Sequence, residues 1–141
     1  MSEIKFSQND VKPEDMEAFN SLMAQILTHP KTIIYDHLVR VMQNGILFTA
    51  RNNDTLVGIS TLAFAYKPSV FFGTIEEIVV DEKFRSQGIA KTLMNQMIQK
   101  GKDLGMDRID LTSKPIREKA NIFYCSIGFE KRDTNVYRLK L

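Results

Sequence analysis

At 141 residues, 43% hydrophobic and 26% charged, the chain has the makeup of one globular domain of ordinary composition with room for a sizeable core. A net charge of +2, with only the stretch from Lys114 to Lys119 locally basic, gives no electrostatic case for nucleic acid. One cysteine excludes an internal disulfide, two histidines without clustered ligands argue against a metal, and no apolar run or signal core marks a membrane or export route, so a cytoplasmic protein is expected.

Glu3 to Ser7 sets Ile4 and Phe6 among polar neighbours and predicts a short first strand. Lys12-Pro13-Glu14-Asp15 opens a helix, since proline suits a first turn and acids suit its dipole. Met16, Phe19, Leu22, Met23, Ile26 and Leu27 form its buried stripe, and His29-Pro30 interrupts it. A second helix is expected from about Lys31 to Gln43, with Ile34, His37, Leu38, Val41 and Met42 on one side. Neither His29 nor His37 has an obvious catalytic partner, and both read as loop or surface residues.

Gly45 ends that helix. Ile46 to Ala50 and Thr55 to Tyr66 read as an antiparallel hairpin across Asn52-Asn53-Asp54, with a bulge suggested at Gly58. Lys67-Pro68-Ser69 breaks the run, and Phe71-Phe72-Gly73 leads into a β-branched strand, Ile75 to Val80. From Ile89 the period changes: Ile89, Leu93 and Met97 recur every fourth residue, as do Ala90, Met94 and Ile98, which predicts an amphipathic helix fraying at Gly101 and Gly105. Arg108 to Thr112 alternates as a strand, and a helix begins near Ile116 with Ala120, Phe123, Tyr124 and Ile127 as its apolar side. Gly128 caps it, Phe129 begins an extended segment, and Asn135 to Leu141 alternates as a last strand. No repeat, linker or low-complexity tract divides the chain, so residues 1–141 read as a single domain. The order β-α-α-β-β-β-α-β-α-β is α/β with a mixed sheet.

Between the central strand and the long helix lies Asp81-Glu82-Lys83-Phe84-Arg85-Ser86-Gln87-Gly88. A helix start carries unpaired N–H groups and the positive end of the macrodipole, so it suits an anion. Gly88 lets a ligand approach the backbone, and Arg85 offers a planar fork of donors for phosphate oxygens. Neither GxxxxGK[ST] nor GxGxxG is present, which weakens nucleoside triphosphate and dinucleotide readings.

Arg85-Ser86-Gln87-Gly88-Ile89-Ala90 resembles the R/Q-x-x-G-x-G/A signature of the GCN5-related N-acetyltransferase (GNAT) superfamily. Ala120-Asn121-Ile122-Phe123-Tyr124-Cys125-Ser126-Ile127-Gly128-Phe129 resembles that family's A-x-x-x-Y-x-x-x-G-F segment. The two matches fall in the family's order across residues 73 to 130. The resemblance implies a GNAT fold, with six to seven strands splayed into a V around an acetyl-CoA cleft and about four flanking helices. It implies direct transfer of an acetyl group from acetyl-CoA to a primary amine, without a metal. The acceptor implied is a small molecule such as a free amino acid; an amino-sugar phosphate, a protein or peptide amine, or CoA sensing without turnover are the alternatives. Nucleic acid and membrane are not expected partners, and a homodimer is left open.

By the same resemblance, Arg85, Ser86, Gln87, Gly88, Ile89, Ala90 and Lys91 hold the diphosphate, chiefly through main-chain donors. Backbone groups of Ile78 and Val80, with Val79 between them, pair with the pantetheine arm, and the Val80 N–H serves the thioester oxygen. Tyr124 protonates or holds the departing thiolate, and Asn121, one turn earlier, bonds the pantetheine amides. Arg117 stands where many members have asparagine and is either an adenosine-phosphate ligand or a solvated helix-start charge. Glu76 and Glu77 are the candidates to take the amine proton. Strand alternation puts them on opposite faces, with Glu76 preferred. Cys125 reads as a small buried residue rather than a nucleophile.

Overall fold

Three long antiparallel strands carry most of the buried apolar side chains, and the first three helices are fitted to their two faces. In the computed structural model, which describes residues 3–141, β1 (Ile4–Gln8) is followed by a 3-10 turn at Pro13–Asp15, α1 (Met16–Ala24) and α2 (Tyr35–Gln43). Then come β2 (Gly45–Asn52), β3 (Thr55–Lys67), β4 (Val70–Val80), a 3-10 turn at Glu82–Phe84, α3 (Ile89–Asp103), β5 (Arg108–Asp110) and α4 (Glu118–Ser126). Met1 and Ser2, at the head of the stretch read for a signal core, lie outside the described residues. The chain forms two compact units, one reaching to Leu111 and one spanning Thr112–Leu141.

The first unit is a five-stranded sheet in the order β1-β2-β3-β4-β5, antiparallel except for the parallel β4–β5 pair. One face packs on α1 and α2 through Phe19, Leu22, Met23, Leu38, Leu47, Ile59 and Val79, all buried. The other receives α3, whose Leu93, Met94 and Met97 are almost fully buried. Gly58 permits that approach: a Cβ there would stand 3.2 Å from Ile89 Cγ2 and 3.3 Å from Ala50 Cβ. The bulge suggested at Gly58 falls beside it, where Ala50 pairs with Gly58 but Arg51 with Leu56, leaving Val57 as the extra residue.

Several expectations need correction. Gly101 is not part of a fraying end but is buried within α3, where a Cβ would meet Ile109 Cδ1 at 2.7 Å. The helix ends in a Schellman turn: Gly105 N–H donates to Lys102 O, and Met106 N–H donates to Gly101 O at 2.9 Å, with Gly105 at φ 75°. Ile34 is 64% exposed because α2 begins one residue later, which removes it from the predicted stripe. Among the described residues the sheet has five strands, not six to seven. Asn135 to Leu141 forms no strand, and Val136, Tyr137 and Leu139 are exposed. Alternation states which face of a strand would be buried; it cannot supply a ladder partner for the backbone.

A charged clamp fixes the start of α1 to the sheet. Arg51 on β2 donates from Nη1 to Asp15 Oδ1 (2.9 Å), from Nη2 to Asp15 Oδ2 (3.0 Å) and from Nε to Asp10 Oδ2 (3.2 Å). The Arg51 hydrogen bond holds the Asp15 carboxyl below its ordinary value, and the carboxylates raise Arg51 further. A carboxyl lowered by folding stabilises the fold above its unfolded pKa, here 3.8, and that contribution is lost as pH falls through the native value. Arg51→Met is therefore expected to cost about 2–3 kcal/mol at neutral pH. The difference from the parent should shrink in urea melts run below about pH 4; a gap independent of pH would contradict the ion-pair origin.

Candidate active site

Residues 81–91 turn the chain from β4 into α3. Asp81 N–H donates to Val57 O at 2.8 Å and its side chain accepts from Lys83 N–H, which shapes the 3-10 turn. Arg85 donates from Nε to Val80 O (3.0 Å) and from Nη2 to Gln25 Oε1 (3.2 Å), and Glu82 N–H donates to the same Gln25 oxygen. Part of the Arg85 fork thus braces the loop, and its Nη1 group is left for other acceptors. Gln25, just past α1, is a brace that sequence reasoning missed; nothing in its spacing announces it.

Ser86 and Gly88 both adopt left-handed backbone, at φ 64° and 81°. For Ser86 that conformation is strained, worth roughly 1–2 kcal/mol. Left-handed residues next to a helix start curl successive N–H groups inward as an anion-binding concavity. Among the described residues, no protein acceptor meets the amides of Gln87, Gly88, Ile89, Ala90 or Lys91; the ladder of α3 begins with Thr92 N–H donating to Gly88 O. Nothing lies within 4 Å of where a Gly88 Cβ would sit. Among the described residues, five amides at the positive end of a fifteen-residue helix are therefore without a protein acceptor, and the backbone at Gly88 is open.

The end of β4 next to this loop is half-paired. Its parallel ladder with β5 covers only Phe72↔Arg108, Gly73↔Ile109 and Thr74↔Asp110. On the β3 side, Gly58 faces Val80 and Asp81 N–H donates to Val57 O, so Gly58 and Val80 are a non-hydrogen-bonded pair. The Val80 N–H and C=O consequently point away from β3, toward the edge that β5 has left. Ile78 follows in phase, and Val79 faces β3 opposite Ile59.

Glu76 and Glu77 depart from simple alternation. Thr61 pairs with Glu76 and Ile59 with Val79, so β4 carries an extra residue here, and Glu77 takes φ 53°. The bulge undoes the expected separation of the two acids. Both carboxyls lie near enough to interact, and Glu77 lines a cleft on the α1/α2 face. Glu76 is raised above the ordinary carboxylate range, first by partial desolvation and then by the Glu77 charge, against a hydrogen bond from Thr74. The cleft, of about 110 Å³, has an apolar floor of Phe19, Met23, Leu38, Val41 and Leu47, and a rim that includes Lys31, His37, Thr61 and Glu77. Tyr66 does not line it and stacks on Phe71, with ring centroids 4.4 Å apart.

In the second unit, α4 presents Ala120, Phe123, Tyr124 and Ile127 along one side. It also ends in a Schellman turn: Gly128 N–H donates to Cys125 O and Phe129 N–H to Tyr124 O at 3.0 Å, with Gly128 at φ 108°. Phe129 meets the Tyr124 ring edge-on at 6.1 Å, the apolar contact that accompanies this cap. The Y-x-x-x-G-F spacing is thus a device that fixes Tyr124 on the last turn of a helix. The tyrosine is half-buried, and its hydroxyl has no hydrogen-bond partner among the described residues. Asn121 Nδ2 donates to Lys114 O at 3.1 Å, which leaves its carbonyl oxygen free. Arg117, the N-cap residue, is exposed. Cys125 is exposed rather than buried, because it lies one residue beyond the apolar stripe.

Among the described residues no cluster of His, Cys, Asp and Glu could hold a metal ion, and no helix is long and apolar enough to cross a membrane. A comparison with curated protein sequences finds no match. Solved structures share the fold at low identity. An acetyltransferase from Trypanosoma brucei is 21% identical with a TM-score of 0.80, covering 99% of this chain and 100% of that one. Glucosamine-6-phosphate N-acetyltransferase from Arabidopsis thaliana is 14% identical with a TM-score of 0.79, covering 96% and 98%. An aminoglycoside N-acetyltransferase in complex with CoA is 19% identical with a TM-score of 0.80, covering 99% and 96%. Residues 11–129, which include the free amides of the loop, the doubled glutamates and the capped tyrosine, match the model of the acetyltransferase (GNAT) family, and the chain belongs to that family.

Proposed function

We propose that the chain transfers the acetyl group of acetyl-CoA to the primary amine of a small molecule, with a free amino acid as the acceptor class. The observation that carries this reading is the row of unpaired amides from Gln87 to Lys91 at the start of α3. A diphosphate supplies acceptors for such a row, and Arg85 Nη1 adds a further donor. Backbone groups of Ile78 and Val80 extend the site as an added strand would, which sets the thioester oxygen on the Val80 N–H. The solved aminoglycoside enzyme with bound CoA is consistent with the same co-substrate here.

The chemistry asks little more of the protein. The amine nitrogen, once deprotonated, attacks the thioester carbonyl carbon; the new C–N bond forms, the C–S bond breaks, and the thiolate takes a proton. Glu77, with Glu76 beside it, attracts the ammonium form and accepts its proton directly or through water. Tyr124 is assigned the proton for the thiolate on the strength of its motif position. A thiolate is already a fair leaving group, so Tyr124→Phe is expected to lower kcat about tenfold while changing acetyl-CoA affinity little. An unchanged kcat removes the acid role.

The reading is tested by calorimetric titration with acetyl-CoA, followed by thiol release against a panel of amino acids, amino sugars and peptides. Saturable binding with amine-dependent release is the expected result. Binding without release from any amine would make the chain a CoA sensor, and absence of binding would overturn the reading altogether.

A further inference from the structure

We infer that the cleft between α1, α2 and β4 selects an amino acid with a short branched aliphatic side chain, an inference that rests on the acetyl-transfer reading above. The floor is formed by side chains that are buried or nearly so, and none of them offers a polar atom. A sugar placed there would lose hydrogen bonds from its hydroxyls to water with nothing to replace them. The volume, about 110 Å³, is below the roughly 150 Å³ cavity that accommodates benzene, so a side chain of four carbons fits better than an aromatic ring.

Charge on the rim orients the same molecule. Glu77 stands on the bulge, at the end of β4 that runs toward the free amides, and suits an ammonium group. Lys31, from the segment before α2, brings a cation to the cleft, and His37, from the first turn of α2, lines it beside Lys31. An α-amino acid carries both complementary charges on one carbon, with its side chain as the third arm. Glu77 shares the α1/α2 face with Val79, two residues on, and the extra residue lets Glu76, paired with Thr61 of the cleft rim, share that face as well.

The test compares kcat/KM for leucine, glycine, phenylalanine, leucinamide and glucosamine 6-phosphate. Leucine is expected to exceed glycine by about 100-fold, since each buried methylene contributes a several-fold factor. Leucine should exceed leucinamide by about fivefold, the scale of an exposed ion pair, and Lys31→Met should erase that second preference. Lys31 is exposed, so this variant is expected to fold. Val41→Phe should depress the leucine-to-glycine ratio by filling the floor. Equal turnover of glycine and leucine, or faster turnover of phenylalanine or the amino sugar, overturns the inference while the acetyl-transfer reading stands. Acetyl-CoA binding with no release from any amine overturns both.

Discussion

Gly88→Glu is expected to weaken acetyl-CoA binding by at least about 100-fold, which corresponds to roughly 3 kcal/mol. The new carboxylate would stand beside five amides that have no acceptor of their own, and it would compete for them as a tethered anion. Gly88→Ala is the companion variant. At φ 81° alanine costs about 1–2 kcal/mol of fold stability, yet its Cβ meets no protein atom within 4 Å. A loss of acetyl-CoA affinity in Gly88→Ala beyond that strain would report how closely the ligand approaches the backbone. Calorimetry on both variants, with thermal melts as the control for folding, separates the two effects. Retained micromolar binding in Gly88→Glu would detach the helix start from the co-substrate.

Replacing both acids of the bulge is expected to have the largest effect on turnover. Glu76→Gln/Glu77→Gln should lower kcat about 10²–10⁴-fold, the range for loss of a general base, with acetyl-CoA affinity retained. The single Glu77→Gln should account for most of the loss, since Glu77 lines the cleft. The role of Glu76 shows in the pH profile. Its carboxyl is raised by desolvation and by Glu77, and an amine is held and deprotonated by the ionised form, so the acidic limb of kcat/KM should lie above the ordinary carboxylate range. In Glu77→Gln that limb should move to lower pH, because the charge that raised Glu76 is gone. The sign for stability is opposite to that for activity. A carboxyl raised by folding favours the protonated fold, so stability is lost as pH rises through the native value, and Glu76→Gln should be more stable than the parent at neutral pH. Thermal melts across pH check this. A Glu76→Gln protein less stable than the parent at neutral pH would contradict it.

What could be read before the structure was local. The four-residue spacing from Ile89 to Met97 is the buried face of α3, and the turn at Asn52-Asn53-Asp54 joins β2 to β3, because both patterns are written in neighbouring residues. The glycine at 128 was legible as a cap, and the structure adds why tyrosine stands four residues before it: the cap seats Phe129 against that ring. The two acids were found, but not their relation. An extra residue in a ladder depends on the partner strand, and Thr61 and Ile59 are far from β4 in sequence. Gln25, which ties the loop to α1, was invisible for the same reason. The alternation at Asn135 to Leu141 misled because exposed and buried faces were inferred without a partner strand to create them.

The central claim is that main-chain donors at the start of α3 take the diphosphate of acetyl-CoA. A titration of the ¹⁵N-labelled protein with CoA, followed by amide NMR, tests it most directly. The expected result is saturable displacement of the Gln87, Gly88, Ile89, Ala90 and Lys91 resonances at one common Kd, with the same amides losing their fast exchange with water. Saturation of binding with those five resonances unmoved would contradict the account.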